Sequence, residues 1–200
     1  MPPPEPSRPS SPPGLRIVRA TPDDAETLAE LVRELARFEK LEASCRMTPA
    51  LAFQHLISPA RSADALLAWL EDAPVGFAVY YRTFSTFVAR PGVFLEDLYV
   101  RERFRHRGIG RALLATVGRI AHCQEAGRFE WTALKWNENA RRLYAAIGAR
   151  EMDEWTLLRM DAAALHGFVG AAPAEPGPDG CRCGGRGPGH ASGHGHACRC

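Results

Sequence analysis

The stretch RERFRHRGIGRALL, residues 101–114, restricts the fold of this chain more than any other segment. It follows GVFLEDLYV (92–100), which has strand character. It runs into Ile109, Leu113, Leu114, Val117, Ile120 and Ala121, which share one helical face, and Gly127 closes that helix, expected over 108–126. A strand that turns through two closely spaced glycines straight into a helix belongs to an α/β architecture.

The turn also carries chemistry. Gly108 and Gly110 let the backbone tolerate φ > 0 and approach a ligand closely. The helix that follows offers unsatisfied N–H groups and the positive end of its dipole, an anion site of the kind phosphates occupy. Arg105, Arg107 and Arg111 surround it with charge. A nucleotide P-loop would need Gly-Lys-Ser/Thr, whereas Arg111-Ala112 follows Gly110. A dinucleotide fingerprint would need a small residue where Leu113 stands. The formal net charge is only +2, and aromatics are not interleaved with the basic run beyond Phe104, which argues against nucleic-acid binding. A capped helix with a solvated charged turn remains the plain alternative.

The remaining pattern fits one domain of about 150 residues over 14–168. LRIVRA (15–20) reads as a strand. Thr21-Pro22-Asp23-Asp24 reads as the start of a helix carried by Leu28, Leu31, Val32, Leu35 and Phe38. Thr48-Pro49 opens a shorter helix. ADALLAWLE (63–71) and PVGFAVYYRTF (74–84) read as a hairpin turning at Glu71-Asp72-Ala73. RFEWTAL (128–134) and EWTLLRM (154–160) read as strands, with a helix from Asn137 to Ile147 between them and Gly148 as its cap. This order predicts helices layered on a mixed sheet.

Both ends stand outside that domain. Residues 1–13 are Pro/Ser-rich and lack the apolar core of a secretory signal; they read as a disordered lead. Residues 171–200 are rich in Gly, His and Cys and read as a disordered tail. The tail holds four of the six cysteines, as Cys181-Arg182-Cys183 and Cys198-Arg199-Cys200. With His190, His194 and His196 these offer soft ligands for zinc or copper(I), but Cys-x-Cys is not the usual structural-zinc spacing, and no metal site is assigned. No apolar run reaches 18 residues, so neither a membrane span nor a membrane partner is expected, and the expected location is cytoplasmic. A disulfide framework is not expected there.

Arg-x-x-Gly-x-Gly between a strand and a helix resembles the pyrophosphate loop of the GNAT superfamily of acyl-CoA N-acyltransferases. FLEDLYVRERFRHRGIGRALL, WNENARRLYAAIGA and RELARFEKLE resemble segments of its diamine acetyltransferase family. The likeness spans residues 15–160. It implies the GNAT fold: a mixed, mostly antiparallel sheet between helical layers, with a splayed strand pair holding acyl-CoA. It implies acetyl-CoA as co-substrate and a homodimer. Leu98, Tyr99 and Val100 would pair with the pantetheine arm. Arg105, His106, Arg107, Gly108, Ile109, Gly110 and Arg111 would cradle the pyrophosphate. Asn137, Glu138, Asn139 and Ala140 would flank the cofactor, and Tyr144 would stand near the thioester sulfur.

The chemistry gives these residues roles. An attacking amine must be neutral, yet a lysine-like amine has a pKa of about 10.4, so a base must remove a proton. The departing thiolate needs one. Tyr144 is the candidate acid, although Ala140, Leu143, Tyr144 and Ile147 share a helical face and the tyrosine could serve the core alone. Glu96 is the candidate base, facing away from both Leu95 and Asp97 by strand alternation; a carboxylate paired with an arginine is its plain alternative. Cys45 and Cys123 lack partners for a covalent mechanism, so direct transfer is expected.

For the acceptor, the resemblance implies that Phe38, Glu39, Glu96, Glu130, Trp131, Thr132 and Asp153 line the substrate site. Polyamine-specific members carry an acid and a tryptophan after the strand, where this chain has Ser85 and Phe87 in RTFSTFVARPG. That resembles the branch preferring thialysine and other small lysine-like amines. The expected activity is therefore N-acetylation of a small primary amine, with polyamines poor substrates. A non-catalytic acetyl-CoA-binding or metal-responsive regulator on the same fold is the alternative.

Overall fold

The structure, a computed structural model, describes residues 12–171. The chain divides into two compact units, Met1–Ala149 and Arg150–Cys200. The Cys/His tail lies outside the described residues.

The first unit holds a five-stranded sheet in chain order: β1 (Leu15–Arg19), β2 (Asp64–Leu70), β3 (Ala73–Ser85), β4 (Arg90–Val100) and β5 (Arg128–Trp131). β1 to β4 pair antiparallel, and β4 pairs parallel with β5. A parallel neighbour requires a crossover, and α3 (Ile109–Cys123) supplies it. The expected hairpin closes through Glu71-Asp72, with Leu70 opposite Ala73 and Glu71 at φ 56°. This left-handed residue matches the twist that two-residue hairpin loops require.

The expected helix start at Thr21 is present. The Thr21 N–H and hydroxyl both donate to the Asp24 carboxylate, at 2.8 and 2.7 Å. A short turn then leads into α1 (Ala25–Phe38), which buries Leu28, Ala29, Leu31 and Leu35. Thr48 caps α2 (Pro49–Ala52) by accepting the Leu51 N–H at 3.2 Å, and the helix continues as a π-helical stretch, Phe53–Ile57.

Apolar residues alternate along the strands, so both faces of the sheet are packed. On one face Ala65, Leu67, Phe77, Val79 and Tyr99 meet α1 and α2. On the other, Leu66, Ala68, Ala78, Tyr80, Val93 and Leu95 meet Leu113, Leu114, Val117 and Ala121 of α3. The result is the layered α/β/α arrangement expected from the sequence.

Two expected strands change. The one at 128–134 leaves its ladder after Trp131, opposite Leu95, the last residue of β4 before its register against β3 shifts. Residues 154–160 form no strand. Alternating apolar residues supply a face, but a strand also needs a neighbour for its N–H and C=O groups. Trp155, Leu157, Leu158 and Met160 remain exposed. The second unit instead contributes α5 (Ala162–Ala171), a helix the sequence reading does not anticipate.

Candidate active site

The site begins at an irregularity in β4. The β3–β4 register pairs Tyr80 with Leu95 but Val79 with Asp97, so Glu96 is the extra residue of a β-bulge. A bulge shifts the alternation by one. Val93 and Leu95 face α3, and so do Leu98 and Val100; Asp97 and Tyr99 face α1. The expected opposition of Glu96 and Asp97 is therefore wrong. Phe94, Glu96 and Asp97 share the α1 side, because the bulge inserts one residue without reversing the face.

The same bulge opens an edge. β5 accompanies β4 only from Gly92 to Leu95. The Arg101 N–H donates to the Val75 carbonyl on β3 at 2.9 Å. By strand parity the Leu98 and Val100 amides point the other way, toward a side where no described strand pairs with them. These are the amides expected to receive an extended ligand arm, and β5 does not pair with them.

Beyond β4, His106 (φ 60°) and Gly108 (φ 79°) both take left-handed conformations and swing the chain into α3. The first-turn amides of Ile109, Gly110 and Arg111 have no intrahelical acceptor, as at any helix start. Ile109 itself is buried in the core, so only its backbone is available.

The arginines around this loop are not equivalent. Arg105 turns inward: its Nε donates to the Val100 carbonyl at 3.0 Å, and its guanidinium lies 4.2 Å from the Phe38 ring and 5.7 Å from the Tyr99 ring. An open-edge carbonyl and an aromatic face thus both engage its charge. Arg103 and Arg107 lie over Phe104 at 4.9 and 5.5 Å, and Arg111 is exposed beside the helix start. Arg107 and Arg111 are both exposed.

On the α1 side, the carboxylates of Glu39, Glu96 and Asp97 act on one another electrostatically at Asp97. Burial, then Glu96, then Glu39, push Asp97 up to about 7 from its usual 3.8. Burial also raises Glu39. Burial, then the neighbouring Glu96, push the Tyr81 phenol up. Phe38, at the end of α1, packs against Tyr99 and Trp136 with ring centroids 6.4 and 5.5 Å apart. Sequence reasoning missed Asp97 and Trp136. The adjacent Glu-Asp pair was a signal for Asp97, but its facing depended on the bulge.

Tyr144 lies on α4 (Glu138–Ala146) and packs on the α3-side core, its ring 5.1 Å from Trp131. Trp131 pairs with Leu95 at the last rung before the fork. Tyr144 thus stands beside the last β4–β5 rung, and burial raises its pKa above the usual phenol value, which keeps its proton in place.

The other expected residues divide. Asn137 caps α4, its side chain accepting the Ala140 N–H at 3.3 Å. Asn139 accepts from Arg142 at 3.0 Å, and Glu138 is exposed. Glu130 is ion-paired with Arg128 at 2.8 Å, and Thr132 is exposed beyond β5. Asp153 is exposed and belongs to the second unit. Ser85 is buried and accepts the Val88 N–H at 3.3 Å, so it holds the β3–β4 turn, while Phe87 is 94% exposed. Among the described residues no cluster of His, Cys, Asp and Glu could hold a metal ion, and no helix is long and apolar enough to cross a membrane.

Comparison with known proteins gives consistent matches. The model of the Acetyltransferase (GNAT) family matches residues 28–149. Thialysine N-epsilon-acetyltransferase of Caenorhabditis elegans is 34% identical over 156 residues, covering 76% of this chain and 96% of that protein. The Mus musculus protein of the same name is 30% identical over 166 residues, covering 78% and 97%. An integron cassette protein from the mobile metagenome of V. cholerae shares the fold, with TM-score 0.68 and 24% identity over 78% of this chain and 98% of that one.

Proposed function

The chain belongs to the GNAT acetyltransferase family, and from that premise we propose that it transfers an acetyl group from acetyl-CoA directly to the primary amine of a small lysine-like substrate. The family membership makes it an N-acetyltransferase acting on amines; the donor, the acceptor and the residue roles are our reading. One observation carries it: a carboxyl held near neutral pKa, Asp97, stands with Glu39 and Glu96 beside an unpaired strand edge and a glycine-turned helix start.

The residues fit an acyl-CoA. The Leu98 and Val100 amides are unpaired by β5 and would hold its amide-bearing arm. The loop His106–Gly108 and the first turn of α3, with Arg107 and Arg111, would hold its diphosphate. When bound, acetyl-CoA supplies a thioester carbonyl open to attack. Glu39, Glu96 and Asp97 would attract the cationic acceptor and orient it, with Phe38 and Trp136 as an apolar wall. Asp97 would take the ammonium proton, its pKa of about 7 making it a competent base at neutral pH. Glu96, the base expected from sequence, would assist by binding the amine. Tyr144, kept protonated by burial, would give its proton to the departing sulfur, and the second proton that the nitrogen sheds as the amide forms would balance that loss.

The names of the two animal relatives support a thialysine-like acceptor. A homodimer, a cytoplasmic location and a catalytic domain over 14–168 complete the proposal; light scattering tests the dimer. The central test is coenzyme A thiol release over a panel of thialysine, lysine, ornithine, putrescine and spermidine. Turnover of the lysine-like amines above the polyamines is expected. No thiol release with any amine would overturn the proposal.

A further inference from the structure

Arg101 stands where β4 ends and the loop begins, and neither the anion site nor the amine site uses it. Its backbone N–H reaches Val75 and its Nη1 donates to the Pro74 carbonyl at 2.9 Å. Its Nε donates to both Glu34 oxygens, at 3.1 and 3.0 Å, and its Nη2 meets Glu34 at 2.8 Å and Glu30 at 3.0 Å. Its side chain is 15% exposed and that of Glu34 17%. Only a guanidinium can meet a carboxylate edge-on while also bonding a carbonyl on another strand.

The partners follow a pattern. Glu30, Glu34 and Phe38 are four residues apart and form one stripe of α1. Glu30 and Glu34 take Arg101; Phe38, one turn on, takes Arg105. The segment 101–105 is thus held to α1 at both its ends, and the left-handed residues His106 and Gly108 follow immediately. A largely buried ion pair adds little net stability compared with apolar side chains of similar volume. What it supplies here is a fixed direction for the chain entering the loop.

We propose that Arg101 is a positioning residue for acyl transfer, which through Glu34 and Glu30 fixes the phosphate-binding loop relative to the open edge of β4. This rests on the acyl-CoA reading of that edge. The clamp sets the angle at which the loop amides and Leu98–Val100 meet one ligand together, so its loss weakens acyl-CoA binding without touching the reacting groups.

The test compares full-length wild type with Arg101→Met, Arg101→Lys and the double variant Arg101→Met/Glu34→Leu, by thermal unfolding and steady-state kinetics. Arg101→Met leaves Glu34 unpaired and lowers Tm; the double variant removes both charges and recovers Tm. The KM for acetyl-CoA is expected to stay raised about tenfold in both, with kcat changed far less. Arg101→Lys should fall between. A double variant that regains wild-type KM along with wild-type Tm would overturn the proposal, since the clamp would then be stability alone. Calorimetric Kd for coenzyme A carries the same comparison if no amine in the panel is acetylated. A failed acceptor reading and a failed clamp are thereby distinguished; wild type that binds no coenzyme A overturns both.

Discussion

Replacing Asp97 with Asn should raise stability and lower activity together. Asp97 has a native pKa near 7 against 3.8 for an unburied carboxyl, because burial and the neighbouring Glu96 and Glu39 disfavour its charge. Between those two values the native state binds more protons than the unfolded state, so stability falls as pH rises and the loss is complete above pH 7. The shift is about 3 units at about 1.4 kcal/mol each, so the full cost is ~4 kcal/mol. Asn occupies the same space and does not titrate. Its stability advantage over wild type should grow by about 2 kcal/mol between pH 5.5 and 8.5, from about 1.5 units of the titration, and level off above pH 7. Urea unfolding of both proteins at half-unit pH steps measures this. The same substitution should remove the acid limb of the kcat/KM profile near pH 7 and cut activity about 100-fold. An advantage that does not change across that range would show that Asp97 ionises freely in the fold, and its assignment as base would fail with the stability argument.

Three other outcomes follow from the site. Tyr144→Phe should lower kcat about 100-fold while calorimetry finds coenzyme A binding unchanged, because the ring stays against Trp131 and only the hydroxyl is lost. Gly108→Ala should destabilise by about 1 kcal/mol, since Gly108 lies at φ 79° and an added Cβ would meet open space, so the cost is conformational; Gly110→Ala meets only Val100 at 3.7 Å and should leave Tm nearly unchanged. Arg107→Glu should raise the KM for acetyl-CoA more than Arg105→Gln does, measured at low salt, because Arg105 already serves Val100 and Phe38.

The local elements were legible in the residues. Thr21-Pro22-Asp23-Asp24 signalled a helix start through capping chemistry that acts within four residues, and the Thr21–Asp24 bonds realise it. The glycine turn into α3 was legible for the same reason, since positive φ at Gly108 is a property of the residue. Matching segments then carried the family and the layered sheet.

What tertiary structure decided is where pairing and facing depend on distant partners. The bulge at Glu96 comes from the register of β4 against β3, and it alone brings Asp97 round to join Glu96 and Glu39. The arginines of one run look alike as letters, yet Glu34 claims Arg101 and Phe38 claims Arg105, from a helix 67 positions earlier. Residues 154–160 carry a strand's composition and form none, because a ladder needs a second edge. The sequence determined each segment's local conformation and its chemistry, since those act over a few bonds. The fold determined which charges are engaged and which remain free for a substrate, since burial and pairing are relations between segments far apart in the chain.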